Sequence, residues 1–115
     1  MYRFEWNYKI ENQKDFEEFV SDMKYDSDPV CNYEQAARLF YDDEKRNCVM
    51  VELQVPTAAM FEDGEKHIPW LDAYEIKDME DYDASNEIYT GIGNGEIITF
   101  ENAEELMLKL AKELC

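Results

Sequence analysis

From Tyr2 to Ile10 apolar and polar side chains alternate without interruption, with Tyr2, Phe4, Trp6, Tyr8 and Ile10 set against Arg3, Glu5, Asn7 and Lys9. An extended strand, whose side chains point to opposite faces in turn, gathers such a set on one side. A sheet face this rich in aromatic groups needs an apolar cover. Two segments with helical spacing can supply it. Behind Asn12, a suitable cap, Phe16, Phe19, Val20 and Met23 recur at i, i+3, i+4 and i+7, Asp15 sits near the positive helix end, and Ser27, Asp28 and Pro29 mark the exit. Further on, Ala103, Leu106, Met107, Leu110, Ala111 and Leu114 trace a second stripe. Asn102 is its expected cap, with Glu105 in capping-box position and Lys109 and Lys112 at the negative end.

Between these helices the pattern is that of strands. Val49, Val51, Leu53 and Val55 face one way and Cys48, Met50, Glu52 and Gln54 the other, until Pro56 ends the run. The stretch Tyr33 to Tyr41 fits either a helical face capped by Asn32 or a strand over Arg38 to Tyr41, and the hairpin with Cys48 to Val55 is the favoured reading. Thr57 to Pro69 reads as a long loop and Trp70 to Ile76 as a short strand. Glu87 to Ile92 and Glu96 to Phe100 flank Asn94 Gly95, a dipeptide suited to a tight hairpin turn. The expected fold is α+β, one domain over residues 1–115. It has a mostly antiparallel sheet of about five or six strands, with two helices, one after the first strand and one C-terminal, packed on one face.

Charge separates this chain from an ordinary domain of its kind. Its 28 Asp and Glu against 11 Lys and Arg leave a formal net charge of -17. Such a balance repels phosphates and anionic lipid, so neither direct nucleic-acid binding nor membrane association is expected, and basic protein surfaces are attracted instead. Three well-separated cysteines, Cys31, Cys48 and Cys115, form no CxxC pair and suggest neither a disulfide framework nor a zinc site. Met1 to Ile10 lacks the continuous apolar core of a signal peptide, and no later run reaches the length of a membrane span. A reducing, cytoplasmic location is the expectation.

Several motifs suggest chemistry and then fail. Gly91, Gly93 and Gly95 could cradle phosphate only if a helix followed, and the pattern predicts a strand there. Asp81, Asp83 and Ser85 open like a calcium loop, but Asn86 stands where the turn wants Gly and Ile92 where a closing Glu belongs. His67 is the only histidine, which rules out a multi-histidine metal site. Paired carboxylates could act as acid and base, yet 28 candidates give no means of choosing two. No metal, cofactor or catalytic residue is therefore assigned.

The distribution of charge is more informative. Residues 47–108 hold fifteen acids against two bases, and within them Asp72, Glu75, Asp78, Glu80, Asp81, Asp83 and Glu87 are opposed only by Lys77. Tyr74, Met79, Tyr82 and Tyr89 are interspersed. Rim charges that steer a partner and tyrosines that bury large area are the ingredients of an interface. The expected partner-binding set is Asp72, Tyr74, Glu75, Asp78, Glu80, Asp81, Tyr82, Asp83 and Glu87. The expected function is a non-enzymatic inhibitor of a basic, nucleic-acid-handling protein such as a nuclease, with carboxylates standing where phosphates would sit. Anti-defence and immunity proteins are classes of this kind, and the analogy rests on size and charge. The alternatives are a small carboxylate-based enzyme, with His67 as a further candidate, and a structural or adaptor subunit.

Overall fold

The computed structural model of the chain describes residues 2–42, 48–76, 85–91 and 96–114. Its alternating first segment forms strand β1, Tyr2–Trp6. The strand is shorter than the alternation because the backbone bends at Asn7 and Tyr8, where the Ile10 N–H turns back to the Tyr8 carbonyl at 2.8 Å. This bend brings Asn12 to the N-cap of helix α1, Gln13–Lys24. There Asn12 Oδ1 accepts from the Asp15 N–H at 2.9 Å, and the Asp15 carboxylate accepts from the Glu11 N–H at 3.0 Å. The helix stops at Lys24, ahead of the Ser27, Asp28 and Pro29 exit, with Tyr25 as its C-cap.

Strands β2, Tyr33–Asp42, β3, Cys48–Pro56, β4, Trp70–Ile76, and β5, Ser85–Gly91, follow. They join β1 in one five-stranded sheet of order β1-β2-β3-β4-β5, every neighbouring pair antiparallel. The ambiguous stretch is thus strand from Tyr33 onward. Residues 57–69 stay outside the sheet and contain one 3-10 turn, Met60–Asp63, which closes on Gly64 at a φ of 75°.

The second expected hairpin does not form. Glu96 to Thr99 is not strand, and Phe100 already begins helix α2, Phe100–Leu114, while β5 pairs with β4. Asn94 Gly95 lies outside the described residues. The cap is also three residues earlier than expected. Thr99 Oγ1 accepts from the Asn102 N–H at 3.3 Å and Asn102 Oδ1 accepts from the Thr99 N–H at 2.6 Å, a reciprocal box that starts the helix where a last strand was expected. Asn102 is the third residue of the helix, not its cap.

Both helices cover the face of the sheet formed by Ala37 and Leu39 of β2, Val49, Val51, Leu53 and Val55 of β3, and Leu71 and Ala73 of β4. Phe16 and Phe19 from α1 and Leu106, Met107 and Leu110 from α2 complete that core. Trp6 joins β1 to both helices, its ring 6.4 Å from Phe16 and stacked 5.2 Å from Phe100. Among the described residues no helix is long and apolar enough to cross a membrane.

Candidate functional site

The face turned away from the helices is organised by register. Arg38 of β2 lies opposite Glu52 of β3, Glu52 opposite Asp72 of β4, and Asp72 opposite Thr90 of β5. Since directly opposed residues of an antiparallel pair share a face, these four form one row across the sheet. Two β-bulges hold the row together. In β2 the pairing shifts between Gln35 and Ala37, and Gln35 and Arg38 therefore point the same way although three residues apart. In the β4–β5 pair the shift falls between Ala73 and Tyr74, which does the same for Glu87 and Thr90.

The centre of the row is closed to water, while Arg38 at one end is half-buried and Thr90 at the other is exposed. Glu52 and Asp72 are each 3% exposed and Gln54 is 0% exposed. Arg38 Nε stands 3.4 Å from Glu52 Oε2, its guanidinium also donates to Gln35 Oε1, and Gln54 Nε2 donates to the same Glu52 oxygen at 3.5 Å. Asp72 Oδ1 accepts from Trp70 Nε1 at 2.9 Å and from Thr90 Oγ1 at 2.6 Å. Gln54 Oε1 is buried with no hydrogen-bond partner. Burial raises the Glu52 carboxyl above its ordinary value, Arg38 and Gln54 pull it back, and Asp72 adds to the rise. Tyr33, whose ring meets Trp70 edge-on at 5.6 Å, and Tyr74 both have hydroxyls pushed up, first by burial and then by the charges of Asp72 and Glu52.

Beside the row lies a small apolar cluster of Phe40, Met50 and Ile76, with Tyr74 packed on it and the Arg3 guanidinium 4.6 Å from the Phe40 ring centre. The helix-free face is therefore a second core with an ionic centre. No protein-family model matches this chain, nor does any curated protein or solved structure. What the molecule does has to be read from its own chemistry.

Of the nine residues expected to bind a partner, Asp72, Tyr74 and Glu87 come together on the helix-free face, Asp72 buried, Tyr74 half-buried and Glu87 exposed on the edge strand. Glu75 is exposed but points to the opposite face, in register with Val49. Asp78, Glu80, Asp81, Tyr82 and Asp83 lie outside the described residues. The sequence reading missed Arg38, Gln54 and Thr90 and did not single out Glu52. The alternation of β3 did place Glu52 and Gln54 on one side, but nothing short of register shows that Asp72 faces them. His67 is half-buried, its Nε2 2.8 Å from Asp63 Oδ2 and its ring edge-on to Phe61 at 5.4 Å. Among the described residues no group of three or more His, Cys, Asp and Glu side chains is placed to hold a metal ion.

Proposed function

We propose that this protein is a non-enzymatic inhibitor that binds a basic groove of a nucleic-acid-handling protein, presenting carboxylates in place of phosphates. The observation that carries this reading is where the acidic charge goes. Among the described residues only two ion pairs form, Arg38 with Glu52 and His67 with Asp63, while Glu17, Glu18 and Asp22 of α1, Glu101, Glu104, Glu105 and Glu113 of α2, and Glu75 and Glu87 of the sheet remain exposed. Among the described residues these carboxylates are thus left without an ion-pair partner, and in a chain of net charge -17 they contribute to an external negative field.

Association driven by such a field is fast and weakens with salt. The test captures the partner from the native host at low ionic strength and then measures association against salt. Reversal of Asp78, Glu80 and Asp81 to Lys is expected to abolish binding with the fold intact. An association rate that is unchanged between low and high salt would overturn the reading.

One observation favours a second reading, a carboxylate-based enzyme. Glu52, with its raised carboxyl, lies opposite Asp72, the arrangement in which one group serves as acid and the other as base. Both are 3% exposed, so substrate could reach them only if that face opened. Glu52→Gln separates the two readings, since it would remove enzymatic activity and leave partner binding unchanged.

A further inference from the structure

Two of the exposed large apolar side chains, Tyr25 and Ile97, border one groove on the surface. Between the outer flank of α1 and the segment that leads into α2 runs an open groove of about 480 Å³, with Phe16 and Ile98 in its floor and Val20, Tyr25, Pro69 and Ile97 along its walls. Tyr25 is 74% exposed and Ile97 73%, and both line the same groove, which unlike singly scattered surface residues makes a shared apolar surface. The groove is preformed, because Gln13 Oε1 accepts from the Phe100 N–H at 2.8 Å and the Ala58 N–H bonds to the Met23 carbonyl at 2.9 Å, fixing α1 at both ends.

Charge decides what can occupy it. A second copy would bring another net charge of -17 into contact, and an anionic lipid surface would be repelled as well. Glu17 lines the groove, Glu18 and Asp22 are exposed on the same helix, and exposed Glu96 precedes Ile97. Lys24, the one base among the described residues that line it, has its ammonium 5.5 Å from the Tyr25 ring centre and 5.1 Å from that of Phe61. We infer that this groove is the anchoring site for a basic segment of the partner protein, which inserts apolar side chains against Val20, Tyr25 and Ile97 while its flanking lysines or arginines meet the acidic rim. The inference rests on the proposed acidic inhibitor and adds to it an address and a chemistry: the carboxylates steer, and the groove supplies the desolvated contact that holds.

The test uses three synthetic probes against the full chain: a helical peptide with leucines at i, i+3, i+4 and i+7 and lysines elsewhere, the same peptide with glutamates for lysines, and oligolysine. The Lys/Leu peptide is expected to shift the amide resonances of Val20, Tyr25, Ile97 and Ile98, and the Glu/Leu peptide to leave them in place. Ile97→Ser and Tyr25→Ser, both at exposed positions, are each expected to weaken the Lys/Leu peptide about tenfold, with an unchanged circular dichroism spectrum showing that the fold is kept. Oligolysine should bind weakly and equally to all variants. Resonance shifts spread over other surfaces, with affinity unaffected by either substitution, would overturn the groove while leaving the acidic reading standing. Failure of both basic probes to bind at low salt would overturn the acidic reading too. Self-association in sedimentation that Ile97→Ser removes would assign the groove to a second copy, against the inference.

Discussion

At the scale of single residues, the balance at Glu52 governs how the protein responds to acid. Its carboxyl is held above the ordinary 4.5 by burial, with Arg38 opposing the rise. A raised folded-state pKa means that the native protein binds this proton more tightly than the unfolded chain does. The stabilisation is complete below the unfolded carboxylate range and is lost as pH rises through the folded value. Stability is therefore expected to increase on going from neutral to mildly acidic pH, and Glu52→Gln should remove that component of the slope, as urea unfolding of both proteins across this range would measure. Arg38→Met leaves Glu52 buried beside Asp72 without its cation. The expected cost at pH 7 is about 2 kcal/mol, under the range for fully buried pairs because the guanidinium keeps some contact with water, and it should shrink in mild acid as Glu52 takes up a proton. None of this was legible from the sequence. Glu52 and Asp72 are twenty positions apart with nothing to mark them among 28 acids, and only the β3–β4 register makes them neighbours.

At the scale of elements, the sequence was most informative where side-chain period alone decides the outcome. The β3 alternation and the two helical stripes reappear in the structure because a buried face admits no other phase. It was least informative where local hydrogen bonding competes with pattern. Asn102 has the chemistry of a cap, but Thr99 with Asn102 makes a complete reciprocal box one turn earlier, and that box converts the expected last strand into the approach to a helix. Thr99→Ala is accordingly expected to cost about 1 kcal/mol, and Glu105→Ala, at the exposed position that the sequence reading placed in the box, less than about 0.5 kcal/mol by thermal unfolding. In the central strand, Leu53 is fully buried between the helices and its neighbours. Leu53→Ala should cost roughly 3 kcal/mol, measured by chemical denaturation.

At the scale of the whole molecule, the same surface that the proposed function uses works against the fold. Exposed carboxylates with few internal partners repel one another, so added salt should stabilise the free protein while it weakens a charge-steered complex. A rise in melting temperature between about 0.02 and 0.5 M sodium chloride is the expected result. The sheet itself carries a further consequence. Strand side chains behave like a two-letter reading frame, and Ala36 is an extra letter that the bulge absorbs, since Gln35 and Ala37 would alternate correctly if they were adjacent. A chain lacking Ala36 keeps every other residue in frame and should still assemble its sheet. A chain lacking Leu39, only three positions on, would send Arg38 to the helix side and lose the fold. The tolerance of β2 to a change in length is thus confined to one alanine, and comparing the two deletions by circular dichroism would locate it.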